Sequence, residues 1–343
     1  MITTDFERLS LPIDGDFTIS RGSQTAVETV VVRVSDAGGQ TGIGAAAPAA
    51  HYGETADTVA VVLPDLLAAV EAVDDPLALD RIDRRLREVV RDNPAARAAV
   101  SIACHDLAAR RLGVPLYRQF GLDPDRAPPT SYTVAIDDPE SMGEAAADAV
   151  AEGFTILKVK LGTDRDRQRI DAVRDAAPDA TIRVDANEAW TPHEAVDKCE
   201  WLADYGIEFV EQPVPAENPA GLEHVHERSA LPIAADESCR TLPDVPAVAD
   251  RVDIVNLKLM KCGGVREAIR MVHTARAHGL GVMLGCMVES TASIAAACHL
   301  APLVDYVDLD GALLLADDAY EGPTYAGGTL AIPDRPGTGV RPR

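Results

Sequence analysis

The chain has 343 residues, 47% hydrophobic and 25% charged, values close to globular averages that exclude a disordered or collagen-like chain. Lysine and arginine number 32 against 55 aspartates and glutamates, a formal net charge of −23. That balance excludes nucleic acid and an anionic membrane surface as partners, because their phosphates would be repelled.

The first residues, MITTDFERLSLPIDGDF, lack a basic start followed by an apolar core. No secretory signal is therefore expected, and the expected location is cytoplasmic. Residues 27–34 and 39–47 read as strands of an antiparallel sheet, with a turn at Asp36-Ala37-Gly38-Gly39. Amphipathic helices are expected over 55–73, 76–92 and 94–112; the last aligns Ala96, Val100, Ala103, Leu107 and Leu112. Strands followed by helices make residues 1–125 an α+β domain.

From about residue 130 the pattern alternates regularly. Short β-rich runs fall at 131–136, 156–162, 181–187, 208–213, 232–238, 254–260, 281–287 and 306–311. Helical patterns lie between them, as at 264–278 with Val265, Ala268, Ile269, Val272 and Ala275 on one face. Eight strands with intervening helices predict a parallel barrel rather than an open sheet. The last segment, 312–343, is rich in Gly and Pro and holds one strand-like run, 328–332. It is expected to pack back on the first domain. No apolar run reaches about 18 residues, so no membrane span is expected. Six scattered cysteines without a CxxC pair read as free thiols.

The acid excess comes from 35 Asp and 20 Glu, set against 27 Arg and only 5 Lys. A carboxylate-rich, lysine-poor surface suits a cytoplasm of very high salt, a halophilic source, where self-repulsion is screened within a few Å. A GC-rich genome also trades Lys for Arg but accounts less well for the acids. Four of the five lysines, Lys158, Lys160, Lys258 and Lys261, sit in two apolar segments, ILKVKLG and VNLKLMKCGG. A tunable proton-transferring base needs lysine, because arginine stays protonated.

Polar residues cluster near the C-terminal ends of the barrel strands, where catalytic groups of such barrels sit. The steps from Lys160 to Asp185, Glu211, Asp236 and Lys258 are 25, 26, 25 and 22 residues, each one βα unit. Three carboxylates converging from adjacent strands repel unless a cation sits between them. Oxygen-only ligation by Asp185, Glu211 and Asp236 favours Mg²⁺, with Mn²⁺ as the alternative, over Zn²⁺. Lys158 and Lys160 taken alone also fit a phosphate clamp or a Schiff-base lysine. With Lys258 across the metal, Lys160 instead suggests proton removal from one face of a carbon and return on the other, through an enediolate. Lys261 is expected on the opposite face of its strand from Lys258, in a structural role.

KVK at 158–160, RVDAN around Asp185, VEQP around Glu211, ADES around Asp236 and NLKLMKCGG around Lys258 resemble the enolase superfamily, muconate-lactonizing subgroup. The resemblance spans essentially the whole chain. It implies a modified TIM barrel, (β/α)7β, over 126–311, an α/β fold with the 1–125 α+β unit as a capping domain that 312–343 completes. Within the subgroup the chain is most similar to the dipeptide epimerases, typified by the L-Ala-D/L-Glu enzymes. That implies 1,1-proton transfer at the α-carbon of a dipeptide's C-terminal residue, with Lys160 and Lys258 as the acid/base pair. Lys158 would polarise the carboxylate, and Asp185, Glu211 and Asp236 would bind Mg²⁺.

VDLDG places Asp308 and Asp310 where that group holds the substrate's α-ammonium, and a carboxylate is the right partner for an amine. FTISRGSQ (17–24) resembles a specificity loop whose arginine, here Arg21, meets a glutamate side chain. HYGET (51–55), with Tyr52, resembles a second such loop. Glu289 in LGCMVES matches the family's seventh strand and reads as structural. The resemblance also implies a homo-oligomer. Alternatives within the superfamily are muconate cycloisomerase, o-succinylbenzoate synthase and N-acylamino acid racemase, which the DxD pair disfavours. An alternative of another class is a non-catalytic barrel that only binds.

Overall fold

The structure, a computed structural model, describes residues 1–343. Strands β1 (Thr3–Ile19) and β2 (Gly22–Ser35) form a long antiparallel hairpin, and β3 (Thr41–Ala46) pairs with β2. The sequence pattern shows no strand before residue 27, because Pro12 and Asp14-Gly15-Asp16 imitate a turn. In the fold they form a bulge: pairing jumps from Pro12–Ala26 to Phe17–Gln24, and Gly15 takes a φ of +79°. The bulge's backbone groups find partners far along the chain. Asp14 N donates to Leu314 O and Ala316 N to Pro12 O, each at 2.9 Å.

Three helices cover this sheet: α1 (Ala56–Val73), α2 (Leu79–Val89) and α3 (Pro94–Leu112). Thr55 and Thr58 form a capping box that starts α1. The second helix starts later than its periodicity predicts, because Asp75 holds a turn through Leu77 N at 3.0 Å. The third begins with Pro94 at its first position and stops at Gly113, whose φ is +69°. It lies so close to β3 that a Cβ on Gly44 would sit 2.3 Å from Ala99 O. A short helix α4 (Leu116–Gln119) leads out of this layer.

Eight parallel strands then follow one another around a barrel: β4 (Tyr132–Val134), β5 (Ile156–Lys160), β6 (Thr181–Asp185), β7 (Ile207–Glu211), β8 (Ile233–Ala235), β9 (Ile254–Lys258), β10 (Gly281–Gly285) and β11 (Tyr306–Asp308). A parallel bridge between Thr130 and Val307 closes the ring. The connecting helices are α5 (Pro139–Ala151), α6 (Asp166–Ala176), α7 (Pro192–Ala203), α8 (Pro219–Arg228), α9 (Asp244–Val248), α10 (Leu259–Cys262), α11 (Val265–Ala277) and α12 (Thr291–Leu300). Strand alternation divides the side chains. Leu157, Val159, Ile182, Val184, Leu257 and Leu284 face outward into a core shared with the helices. Phe209, Ala234, Ile254 and Met283 face inward and form their own cluster. Arg183 lies over Phe209 and Tyr306, 5.3 and 5.2 Å from their ring centroids.

The C-terminal segment touches both parts. Tyr320 and Val340 pack on Val31, Ile43 and Ala45 of the first sheet. The run expected at 328–332 is one arm, Thr329–Ala331, of a small hairpin with Thr324–Ala326. That hairpin leans on the barrel, where Tyr325 Oη donates to Leu309 O at 2.6 Å. All six cysteines are free. No helix is long and apolar enough to cross a membrane.

His299, buried in α12, ties these parts together as a neutral ring. Its Nδ1 accepts Tyr117 N–H at 3.1 Å, and its Nε2 donates to Thr338 O at 3.0 Å. Burial pushes its pKa down from 6.5 to about 4. The unfolded chain therefore takes up the proton first, and the stability present above pH 6.5 drains away as the pH falls towards 4. Urea unfolding between these limits should show this loss, and His299→Gln should reduce its slope by up to about 1.4 kcal/mol per pH unit.

Candidate active site

The register of the barrel strands brings the predicted residues to one mouth. Lys160 pairs with Asp185, and Asp185 with Glu211, across adjacent strands. Asp236 lies just past β8, and Lys258 ends β9 opposite Gly285. A Cβ on Gly285 would meet Asn256 Oδ1 at 2.6 Å, so the glycine leaves room for Asn256. Asn256 in turn donates to Glu211 Oε1 at 2.7 Å.

Lysines and carboxylates interleave here. Lys160 Nζ donates to Asp185 Oδ2 at 2.6 Å, and Lys258 Nζ to Asp236 Oδ2 at 2.7 Å. The two amines thus stand at opposite ends of the Asp185–Glu211–Asp236 arc. Lys158 Nζ lies between Asp308 Oδ2 and Glu211 Oε2, 2.8 Å from each, and 3.2 Å from Asp185 Oδ2. Asp308 also accepts Ser131 Oγ at 2.6 Å, and Asp310 accepts Thr133 N at 2.6 Å. Both aspartates line a cavity of about 740 Å³ with Lys158, Lys160 and Lys258.

Burial alone would raise every one of these carboxyls. Lys160 and Lys158 reverse that at Asp185, and Lys258 and Lys261 at Asp236, so both stay well below the usual carboxylate range. Glu211 is buried and also faces Asp185, and it is pushed up to about 7. Asp310, buried beside Asp308, is likewise pushed up to about 7. Burial works against the charge on Lys158, but Asp308, Glu211 and Asp185 raise its pKa well above normal.

The donor set fits a hard divalent cation. Asp185, Glu211 and Asp236 offer only carboxylate oxygens and are fully buried. Glu211 Oε2 has no hydrogen-bond partner, and its one close neighbour is the Lys158 ammonium 2.8 Å away, so a cation can share it. A second group, His51, Glu188 and Glu237, brings its ligand atoms within 4.8 Å of one another. Arg21 already sits among them, 3.1 Å from Glu188 Oε2 and 2.8 Å from Glu237 Oε1. The all-oxygen trio is the better seat for Mg²⁺.

The loops of residues 17–24 and 51–55 reach the site from the first sheet and its helices. Ser20 and Arg21 at the tip of the β1–β2 hairpin both donate to Asn187 O at 3.1 Å. Tyr52 lies under the Arg240 guanidinium, whose centre is 4.6 Å from its ring centroid. Burial and the nearby Asp236 and Glu237 push the Tyr52 phenol far up. Glu289 is buried beneath the mouth, with Oε1 accepting Met287 N at 3.2 Å.

The sequence pattern misplaces one contributor, Lys261, and misses three, Gln212, Asn256 and Glu188. Lys261 does not face away. The strand ends at Lys258, so strand alternation no longer applies, and α10 turns Lys261 under the site. There its Nζ donates to Asp236 O at 2.6 Å, Asn256 O at 2.8 Å and Cys239 O at 3.0 Å. Gln212 splices β7 to β8: its Oε1 accepts Asp236 N at 2.9 Å and Ser238 N at 3.1 Å. Asn256, two residues before Lys258 on the same strand face, was open to discovery by parity alone. Glu188, held at a φ of +69°, left no signal in the sequence.

Residues 141–343 match the family model described as enolase C-terminal domain-like. Residues 2–121 match the mandelate racemase / muconate lactonizing enzyme N-terminal domain. The chain belongs to the enolase superfamily. Among its relatives in that superfamily is the L-Ala-D/L-Glu epimerase of Bacteroides thetaiotaomicron, 39% identical over 94% of this chain and 84% of that one. Among solved structures, a dipeptide epimerase from Enterococcus faecalis complexed with Mg and L-Leu-L-Tyr superimposes with a TM-score of 0.93. It is 33% identical and covers 98% of each chain. A dipeptide epimerase from Cytophaga hutchinsonii complexed with Mg and D-Ala-L-Val gives a TM-score of 0.95 at 30% identity, over 100% of this chain and 96% of that one.

Metal binding is open to a direct test by thermal unfolding. Saturating Mg²⁺ should raise the Tm of the metal-stripped protein by about 5 °C or more. Asp236→Asn should abolish the gain, and Glu188→Gln should keep it. Loss of the gain in the Glu188 variant would move the ion to the Arg21 cluster.

Proposed function

We propose that the chain is a Mg²⁺-dependent dipeptide epimerase. The carrying observation is the pair of buried amines, Lys160 on Asp185 and Lys258 on Asp236, at opposite ends of one carboxylate arc. An α-carbon lodged between them meets one amine on each face. A neutral lysine on one face takes the proton, breaking C–H and forming N–H. The ammonium on the other face returns a proton, which inverts the centre. Mg²⁺, held by Asp185, Glu211 and Asp236, would supply the charge stabilisation that lets the α-carbon lose its proton as an enediolate.

The other residues orient the substrate. Lys158 is a fixed positive charge beside the arc, suited to a substrate carboxylate. Asp308 and Asp310 present carboxylates to an α-ammonium group. Arg21 and Tyr52 stand over the opposite, polar side of the cavity and face the second residue's side chain. The relatives' dipeptide ligands support this reading.

Incubation in D₂O with Mg²⁺ and a library of L,L-dipeptides should add one deuterium at the C-terminal residue's α-carbon. Lys160→Ala and Lys258→Ala should each lose epimerisation by about 10³-fold or more. Each should retain exchange with one epimer only, and with opposite epimers. Exchange of both epimers by either variant would reject the two-base assignment.

The acidic surface belongs to the same proposal: a cytoplasmic enzyme adapted to concentrated salt. With a net charge of −23, repulsion weakens the fold until ions screen it. The Tm should rise as KCl goes from about 0.1 M to about 2 M, well past full screening. A flat or falling Tm would reject salt adaptation.

A further inference from the structure

The cavity is larger than a small dipeptide requires. About 740 Å³ is the size of pockets that enclose drug-sized ligands. Its lining is divided. The side towards β6 and β8 is polar, with Arg21, His51, Tyr52 and Glu237. The side around Asp310 carries the large apolar residues Phe17, Ile19, Met287, Val288 and Leu314, with Ser23 and Gln24 across the hairpin from Thr18 and Phe17.

Backbone contacts fix that apolar wall beside Asp310. Leu313 N donates to Asp310 O at 2.8 Å, which starts a turn that carries Leu314. Leu314 O accepts Asp14 N at 2.9 Å, bringing in the hairpin arm before Phe17. Thr18 O accepts Ile136 N at 2.8 Å, seating Phe17 and Ile19 over the end of β4. On the other flank Gly311 touches the 286–288 loop, and a Cβ there would lie 1.9 Å from Met287 O.

Phe17, Ile19 and Leu314 are half-buried and belong to none of the hydrophobic cores. Their apolar surface faces the cavity without a partner from the chain. The cap charges Arg8 and Asp57, which also line the cavity, pair with each other at 2.7 Å. Large apolar side chains left open beside a buried carboxylate are what an amino-acid subsite requires: an anchor for the ammonium, and a wall for the side chain next to it.

We infer that this wall is the first-residue subsite, and that it selects dipeptides whose N-terminal side chain is apolar and larger than alanine's. The inference rests on the epimerase reading, which places the substrate's ammonium at Asp308 and Asp310. The second residue's side chain then lies towards Arg21 and Tyr52, away from the wall. Each methylene added to the first residue gains apolar contact, whereas a charged first side chain laid against Phe17, Ile19 and Leu314 loses water there with no charged partner among them.

The test is a deuterium-exchange series with the holoenzyme. The first residue is varied through Gly, Ala, Leu, Asp and Lys, with L-Glu second and again with L-Leu second. The kcat/KM for Leu should exceed that for Gly, Asp and Lys by about tenfold or more, with Ala between. Phe17→Ser and Leu314→Ser, both at half-exposed sites, should cut the Leu-to-Gly ratio about tenfold, mainly through KM. An Ala-first or charged-first dipeptide outrunning the Leu-first one would overturn the inference, as would an unchanged ratio in both variants. In those cases exchange itself still occurs and the epimerase reading stands. No exchange with any dipeptide would remove the epimerase reading and this inference with it.

Discussion

An ionised group moved out of water costs several kcal/mol unless a partner meets it. Lys158, Lys160, Lys258 and Lys261 are all buried at the barrel mouth, as are Asp185, Glu211, Asp236 and Asp308. Every one of the four amines lies within 3.0 Å of a carboxylate oxygen. This pairing constrains the whole barrel. A strand slipped by one residue would turn its charge into the apolar layer between strands and helices. The alternation of Lys158, Val159 and Lys160 on one strand states the rule: amines inward, valine to the core. Gly285 serves the same end by leaving the space that Asn256 needs to reach Glu211.

Much of the barrel was legible because its signals are local. A run such as TIRVD carries its strand character, its parity and its terminal carboxylate in five residues. The nearly constant spacing of Lys160, Asp185, Glu211 and Asp236 then expresses a repeated βα unit. The features that stayed hidden depend on distant partners or on breaks in the period. Strand β1 contains Pro12 and Gly15, which locally read as a turn; its bulge exists because residues 314–316 supply the missing hydrogen bonds. Strand parity misplaces Lys261 because the strand ends at Lys258 and a helical turn follows. Glu188 owes its position to left-handed backbone at Asn187 and Glu188, which no composition signal marks.

The cap completes the mouth from above, and its two loops are held in different ways. Arg21 is bound by charge, between Glu188 and Glu237. Tyr52 is held by stacking on Arg240, and Glu54 just beyond it accepts Ala95 N at 3.1 Å at the start of α3. Charged contacts of half-exposed groups weaken in salt, whereas stacking and buried hydrogen bonds weaken less. The hairpin tip is therefore the more salt-sensitive of the two loops.

The bulge in β1 also bears on how the protein is made. Residues 12–14 leave the ribosome about 300 residues ahead of Leu314 and Ala316, the groups that pair with them. Until then the hairpin has no strut beneath its middle, and Phe17 and Ile19 have no opposite wall. The buried amines can already be in register while the roof above them is unmoored. The chamber thus closes only once residue 316 has emerged, and a nascent chain cut short before residue 314 carries the buried amines and carboxylates without the wall that completes the cavity.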